Sequence, residues 1–100
     1  MNEDFKATLM VNNEPIELNP FTEQFLARTV LGAVSSLRGA EDVHKLEMHL
    51  ERGDVEIYVN GSQLPVTPFP GDIMTNTIKG LVSTLKGVGE IESVHVEVKA

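Results

Sequence analysis

The chain has 100 residues, 41% hydrophobic and 23% charged, the proportions of one small globular domain, which excludes wholesale disorder. Its 15 acidic and 8 basic residues leave a formal charge of −7, which argues against a nucleic-acid binder, because such proteins concentrate Lys and Arg against phosphate. Cysteine is absent, no run of about 18 apolar residues occurs and Met1–Lys6 lacks the segments of a signal peptide, so the expectation is a cytoplasmic protein with no disulfide, thiolate chemistry or membrane partner.

Ala7–Val11 alternates apolar and polar residues and predicts a strand. Asn12-Asn13 reads as a turn into a second strand holding Ile16 and Leu18. Pro15 interrupts that strand and cannot donate to a ladder, which predicts an edge position. Asn19-Pro20-Phe21 then suits a helix start. From there Phe25, Leu26, Val30, Ala33, Val34 and Leu37 recur at helical spacing and predict one core-facing stripe. Arg38 and Gly39 mark the last turn and the exit, with Ala40 as the accompanying hydrophobic contact. Val43 plugs the core from the approach loop, and Leu46, Met48 and Leu50 face inward from a third strand.

Glu51-Arg52-Gly53-Asp54 is a short turn, and after it the same order of elements returns. Val55, Ile57 and Val59 alternate with Glu56 and Tyr58, and Asn60-Gly61 is a strong hairpin signal because both positions of a type I′ turn need positive φ. The next strand holds Leu64 and Val66 with Pro65 between them; Thr67-Pro68-Phe69 starts the second helix. Ile73, Met74, Ile78, Leu81, Val82 and Leu85 form its stripe; Lys86, Gly87 and Val88 form its exit. Ile91 corresponds to Val43, and Val94, Val96 and Val98 close the chain.

A shift of 48 positions lays residues 7–50 over 55–98 without a gap. Identical pairs are Val11/Val59, Asn12/Asn60, Pro20/Pro68, Phe21/Phe69, Thr29/Thr77, Gly32/Gly80, Val34/Val82, Ser35/Ser83, Leu37/Leu85 and Gly39/Gly87. Turn and cap residues match as well as apolar ones, which points to a tandem duplication of one ββαβ unit, residues 5–51 and 54–99. A unit of this length buries too little surface to stand alone, so residues 1–100 are expected to form one domain. The expected fold is α+β: one largely antiparallel six-stranded sheet, both helices packed on one face, internal pseudo-two-fold symmetry. The short turn pairs the third strand with the fourth, and symmetry then gives the strand order 2-1-6-3-4-5.

Gly32 and Gly80 fall in the middle of the two helices, where glycine costs about 1 kcal/mol against alanine. The expectation is a close helix–helix contact across the pseudo-two-fold axis, with a glycine-lined groove as the alternative. His49 shares a strand face with Glu47 and Glu51, and His95 with Glu97. If the two closing strands are neighbours, His49, His95, Glu47 and Glu97 are the candidates for a divalent metal, although they show no spaced ligand signature. Met10, Tyr58, His49 and His95 make the same open face less polar than most solvated sheets, a candidate docking patch for another copy or a protein partner. Ser35, Ser36, Ser83 and Thr84 lie inside helices, where local backbone bonding accounts for them. No nucleophile elbow, phosphate loop or metalloprotease motif occurs, so no catalytic residue and no cofactor is assigned, and an enzyme is the least supported class.

The stretches Val-Asn-Asn-x-x-Ile-x-Leu-x-Pro-Phe (11–21) and Val-Asn-Gly-x-x-Leu-x-Val-x-Pro-Phe (59–69) precede helices ending Ser-Ser-Leu-Arg-Gly and Ser-Thr-Leu-Lys-Gly. This pattern resembles a family of short, uncharacterised prokaryotic proteins that carry the unit once. The resemblance covers nearly all of both halves, but its motifs are structural. It implies that single-copy relatives pair as homodimers and that this chain is the fused equivalent. It implies no activity and no site residue. The reading is a binding or protein-interaction domain, with a metal- or small-molecule-binding protein as the alternative.

Overall fold

The computed structural model describes residues 5–37, 42–52, 54–85 and 89–99, the side chains of 68–70 excepted. In chain order the elements are β1 (Lys6–Val11), β2 (Glu14–Ile16), α1 (Pro20–Ser35), β3 (Lys45–Glu51), β4 (Asp54–Val59), β5 (Ser62–Leu64), α2 (Pro68–Val82) and β6 (Ser93–Lys99). The six strands form one sheet in the order β2-β1-β6-β3-β4-β5, and every neighbouring pair is antiparallel. The short strands β2 and β5 stand at the edges, as expected; Pro15 lies within β2, and Pro65 falls just beyond β5.

Period-2 alternation separates the two faces of the sheet. Ala7, Leu9 and Val11, Leu46, Met48 and Leu50, Ile57 and Val59, and Val94, Val96 and Val98 are buried on one face. They form one core with Leu26, Ala27, Val30 and Val34 of α1 and Met74, Ile78 and Val82 of α2. Both helices therefore cover that face, and the other face is left open. Val43 and Ile91 pack against the core edge, as their position in the approach loops requires.

Asn19 caps α1, accepting from the Thr22 N–H at 2.8 Å, and Pro20 occupies the first turn, where its missing N–H costs nothing. At the other end the Ser35 hydroxyl donates to the Gly32 carbonyl and Ser36 to Ala33; Ser83 and Thr84 repeat this on Gly80 and Leu81. The chain tightens there into i→i−3 bonds, so both helices end sooner than the apolar spacing suggests. Arg38, Gly39, Ala40, Lys86, Gly87 and Val88, read as the helix exits, lie outside the described residues, as does Gly53 of the joining turn.

Two expectations need correction. Phe25 and Ile73 were placed on the inward stripes, yet each is 51% exposed. The buried stripe is centred on Leu26, Val30 and Val34, and on Met74, Ile78 and Val82, and a residue just before Leu26 or Met74 turns away from it. Phe25 instead stacks on Phe21, itself exposed, with ring centroids 5.8 Å apart. Gly32 and Gly80 do not mediate helix contact: both are exposed, and a β-carbon at either would meet nothing within 4 Å among the described residues.

Candidate functional site

The centre of the open face is set by the β3–β6 register. His49 lies opposite His95, and Glu47 lies opposite Glu97 one step along the same face. Met10 is opposite His95 on the far side, and Tyr58 is opposite Glu47. The fold thus brings Met10, Tyr58, His49, His95, Glu47 and Glu97 onto one contiguous, half-buried patch. No single strand carries this cluster; it exists because β6 inserts between β1 and β3.

The imidazoles of His49 and His95 stack with centroids 4.0 Å apart and planes inclined at 32°. Tyr58 meets His49 edge-on at 5.9 Å, the geometry that aligns the positive rim of one ring with the face of the other. Glu47 Oε1 approaches His49 Nε2 to 3.7 Å. Glu47 and Glu97 are like charges directly across the ladder, a destabilising pairing that Lys45 offsets, its Nζ lying 3.5 Å from Glu47 and 3.3 Å from Glu97. The Glu97 hydrogen bond and both carboxylate charges raise the Lys45 pKa above its ordinary value.

His95 is partly buried. Its Nε2 is buried and has no hydrogen-bond partner among the described residues. Desolvation, followed by the neighbouring His49, lowers its pKa below the ordinary 6.5, outweighing Glu47 and Glu97. His95 is therefore a neutral imidazole near neutral pH, with a free lone pair if the proton sits on Nδ1. One ligand atom each from Glu47, His49 and His95 can be chosen so that all three lie within 4.8 Å of one another. Of the four metal candidates, Glu97 does not belong to this group and holds Lys45 instead.

Two charged rows bracket the patch. The registers align Lys6, Lys99 and Lys45 across β1, β6 and β3 at one end of the open face. At the other end Ser93, Glu51 and Asp54 align across β6, β3 and β4. Periodicity assigns each residue to this face, but the rows appear only once the registers are known.

Sequence reasoning took Asn12 and Asn60 as simple turn formers. Both have positive φ, 53° and 52°, but each also clamps a distant loop. Asn60 Oδ1 accepts from the His44 and Lys45 N–H groups, and its Nδ2 donates to the Asp42 carbonyl at 2.9 Å. Asn12 does the same to Glu92, Ser93 and the Glu90 carbonyl. The two asparagines thereby set where β3 and β6 begin, and with them the register of the histidines. Their identity at the 48-residue offset was the available signal.

Among the described residues no helix is long and apolar enough to cross a membrane. No family model matches the chain, and neither the curated proteins nor the solved structures contain a match to it.

Proposed function

We propose that the protein is a small binding domain, made by tandem duplication of a ββαβ unit, that docks a second copy of itself on its open sheet face. Duplication is supported by registers that recur 48 residues on. Leu9↔Ile16 returns as Ile57↔Leu64, and the β1–β6 register matches that of β4 with β3. The asparagine clamps and hydroxyl caps recur at the same offset. In this reading Met48↔Val96 lies on the pseudo-two-fold axis, and the chain is the fused form of a homodimer.

The observation that carries the docking is the pair of opposed charge rows. A face-to-face pairing about a two-fold axis in the sheet plane, perpendicular to the strands, sets the lysine end of each sheet over the partner's acidic end, with Lys45 above Glu51 and Lys99 on the neighbouring strand. The half-buried row of Met10, His95 and His49 then meets the partner's Thr8, Glu97 and Glu47, and Tyr58 meets Glu56. Sedimentation analysis of the purified chain is expected to show dimers at micromolar concentration, and Met10→Glu with Tyr58→Glu to give monomers. Lys99→Glu and Glu51→Lys chains should each dimerise poorly alone and recover when mixed. A parent chain that is monomeric throughout overturns the proposal.

A second reading rests on the unpartnered Nε2 of His95 beside His49 and Glu47. Two imidazoles and a carboxylate suit Zn²⁺ with an open fourth position. Zn²⁺ at one equivalent is expected to shift both imidazole NMR signals. His49→Ala or His95→Ala should abolish the effect, and Glu97→Gln should preserve it. Uptake should weaken on acidification, as protons compete for imidazole nitrogen, with His95 keeping its lone pair to below the ordinary 6.5. Unchanged spectra would sink this reading.

A further inference from the structure

The outer edges of β1 and β4 are treated differently. Odd-numbered residues of β1 direct their backbone polar groups outward, away from β6. The Ala7 N–H donates to Glu23 Oε2 at 2.9 Å, and the Phe5 N–H donates to Gln24 Oε1 at 3.0 Å. Gln24 Nε2 returns a bond to the Phe5 carbonyl at 2.7 Å, so this one side-chain amide pairs with Phe5 as a peptide group of a further strand would. Even-numbered residues face inward, as the Asn12 N–H to Ser93 carbonyl bond shows. Glu23 and Gln24 thus occupy backbone groups of the β1 edge where β2 runs out, beside a smaller cleft of about 340 Å³ lined by Ala7, Ile16, Leu18 and Glu23 among others.

In β4 the inward bond of Asn60 to the Lys45 carbonyl gives the same phase, so the Val55 N–H and carbonyl also point outward. The β5 pairing stops at Ile57, leaving the Val55 edge beyond it. The positions 48 residues after Glu23 and Gln24 are Gly71 and Asp72. Gly71, the counterpart of Glu23, has no side chain to reach the Val55 N–H; the counterpart of Phe5 is Gly53, which lies outside the described residues. An open cleft of about 510 Å³ lies there, lined by Asp54, Val55, Glu56, Gln63, Gly71 and Asp72 among others. Among the described residues that line it, none is basic.

We propose that this cleft binds an extended, basic peptide segment, which adds backbone hydrogen bonds to the free edge of β4 at Val55. The filled edge of β1 shows what chemistry completes such an edge: a carbonyl-type oxygen for the outward N–H and an amide for the outward carbonyl. A peptide backbone supplies both, in the mode by which peptides extend sheets elsewhere. Asp54, Glu56 and Asp72 select lysine or arginine side chains and reject acidic ones. The site is on the sheet edge and does not rest on dimerisation, although Asp54 belongs both to it and to the acidic row of the open face.

The test is an NMR titration of the full chain with acetyl-Lys-Val-Lys-Val-Lys-amide. The expected result is saturable shifts centred on Val55, Gln63, Gly71 and Asp72, with slower hydrogen exchange at the Val55 N–H. The deciding variant is Gly71→Glu with Asp72→Gln, which transfers the side chains of the closed edge without changing net charge. A β-carbon at Gly71 meets Val66 Cγ1 at 3.5 Å and Val55 Cγ2 at 3.8 Å, ordinary contacts that let the variant fold. It is expected to protect the Val55 N–H by itself and to weaken peptide binding about tenfold or more, the worth of roughly one or two net hydrogen bonds. The proposal is overturned if the peptide gives no saturable shifts, or binds the variant as tightly as the parent. It also fails if acetyl-Glu-Val-Glu-Val-Glu-amide shifts the same resonances, or if the shifts spread over the whole acidic surface.

Discussion

Leu46→Ala is expected to destabilise the protein by about 3 kcal/mol, the usual scale for deleting a fully buried leucine side chain and leaving a cavity. Leu46 is 0% exposed, lies between Val98 of β6 and Val59 of β4, and points into the core shared by both helices. Val94 occupies the position 48 residues on, at 2% exposure, between Val11 and Leu50. Val94→Ala removes less hydrocarbon from a similar setting and should cost less, about 2 kcal/mol. Equilibrium urea unfolding measures both. Equal losses, or a loss from Leu46→Ala below about 1 kcal/mol, would show that this part of the core is not closely packed.

The second large effect is expected at an exposed residue. Asn60→Ala removes three side-chain bonds to the loop before β3 and places alanine at a φ of 52°. At roughly 0.5–1 kcal/mol for each solvent-accessible bond and about 1 kcal/mol for the left-handed backbone, the loss is about 2.5–4 kcal/mol. Asn60→Gly separates the contributions, since glycine tolerates positive φ and forfeits only the bonds. Asn12→Ala should match Asn60→Ala, because it loses the corresponding bonds to Glu90, Glu92 and Ser93 at a φ of 53°. Thermal unfolding of the variants tests this; a change no larger than that of a surface control such as Thr8→Ala means that the clamps do not hold the loops.

These asparagines illustrate how much of the molecule was legible in advance. Asn60-Gly61 announced a hairpin through its φ requirement, and that turn is present. That Asn60 also reaches back to His44 and Asp42 depends on β3 lying beside β4, a fact outside any local window. Phe25 failed for a related reason. Helical periodicity locates an apolar stripe, but its width and centre depend on how the helix is rolled against the sheet. Ala27 took the buried place that spacing had assigned to Phe25. At Gly32 and Gly80 the expected helix approach is absent, and nothing in the structure explains why glycine stands at either position.

The candidate site was legible as membership and not as arrangement. Alternation puts His49, Glu47, His95 and Glu97 on the outward face whatever the strand order. Their meeting required the β3–β6 register, which also produced the 4.0 Å imidazole stack and the orphaned Nε2 of His95. The cleft beside Val55 was further from view, because it depends on where β5 stops pairing and on what Gly71 fails to supply.

By itself, the sequence of this protein determined its elements, its inner and outer faces, and the edge placement of β2 and β5. Those features follow from short-range periodicity and backbone chemistry, which act within a few residues. The tertiary structure alone decided which outward residues meet: the histidine stack, the lysine and acidic rows, the clamped loops and the open edge of β4. Each depends on hydrogen-bond register between strands distant in the chain, and a one-residue slip would have moved every one of them to the other face.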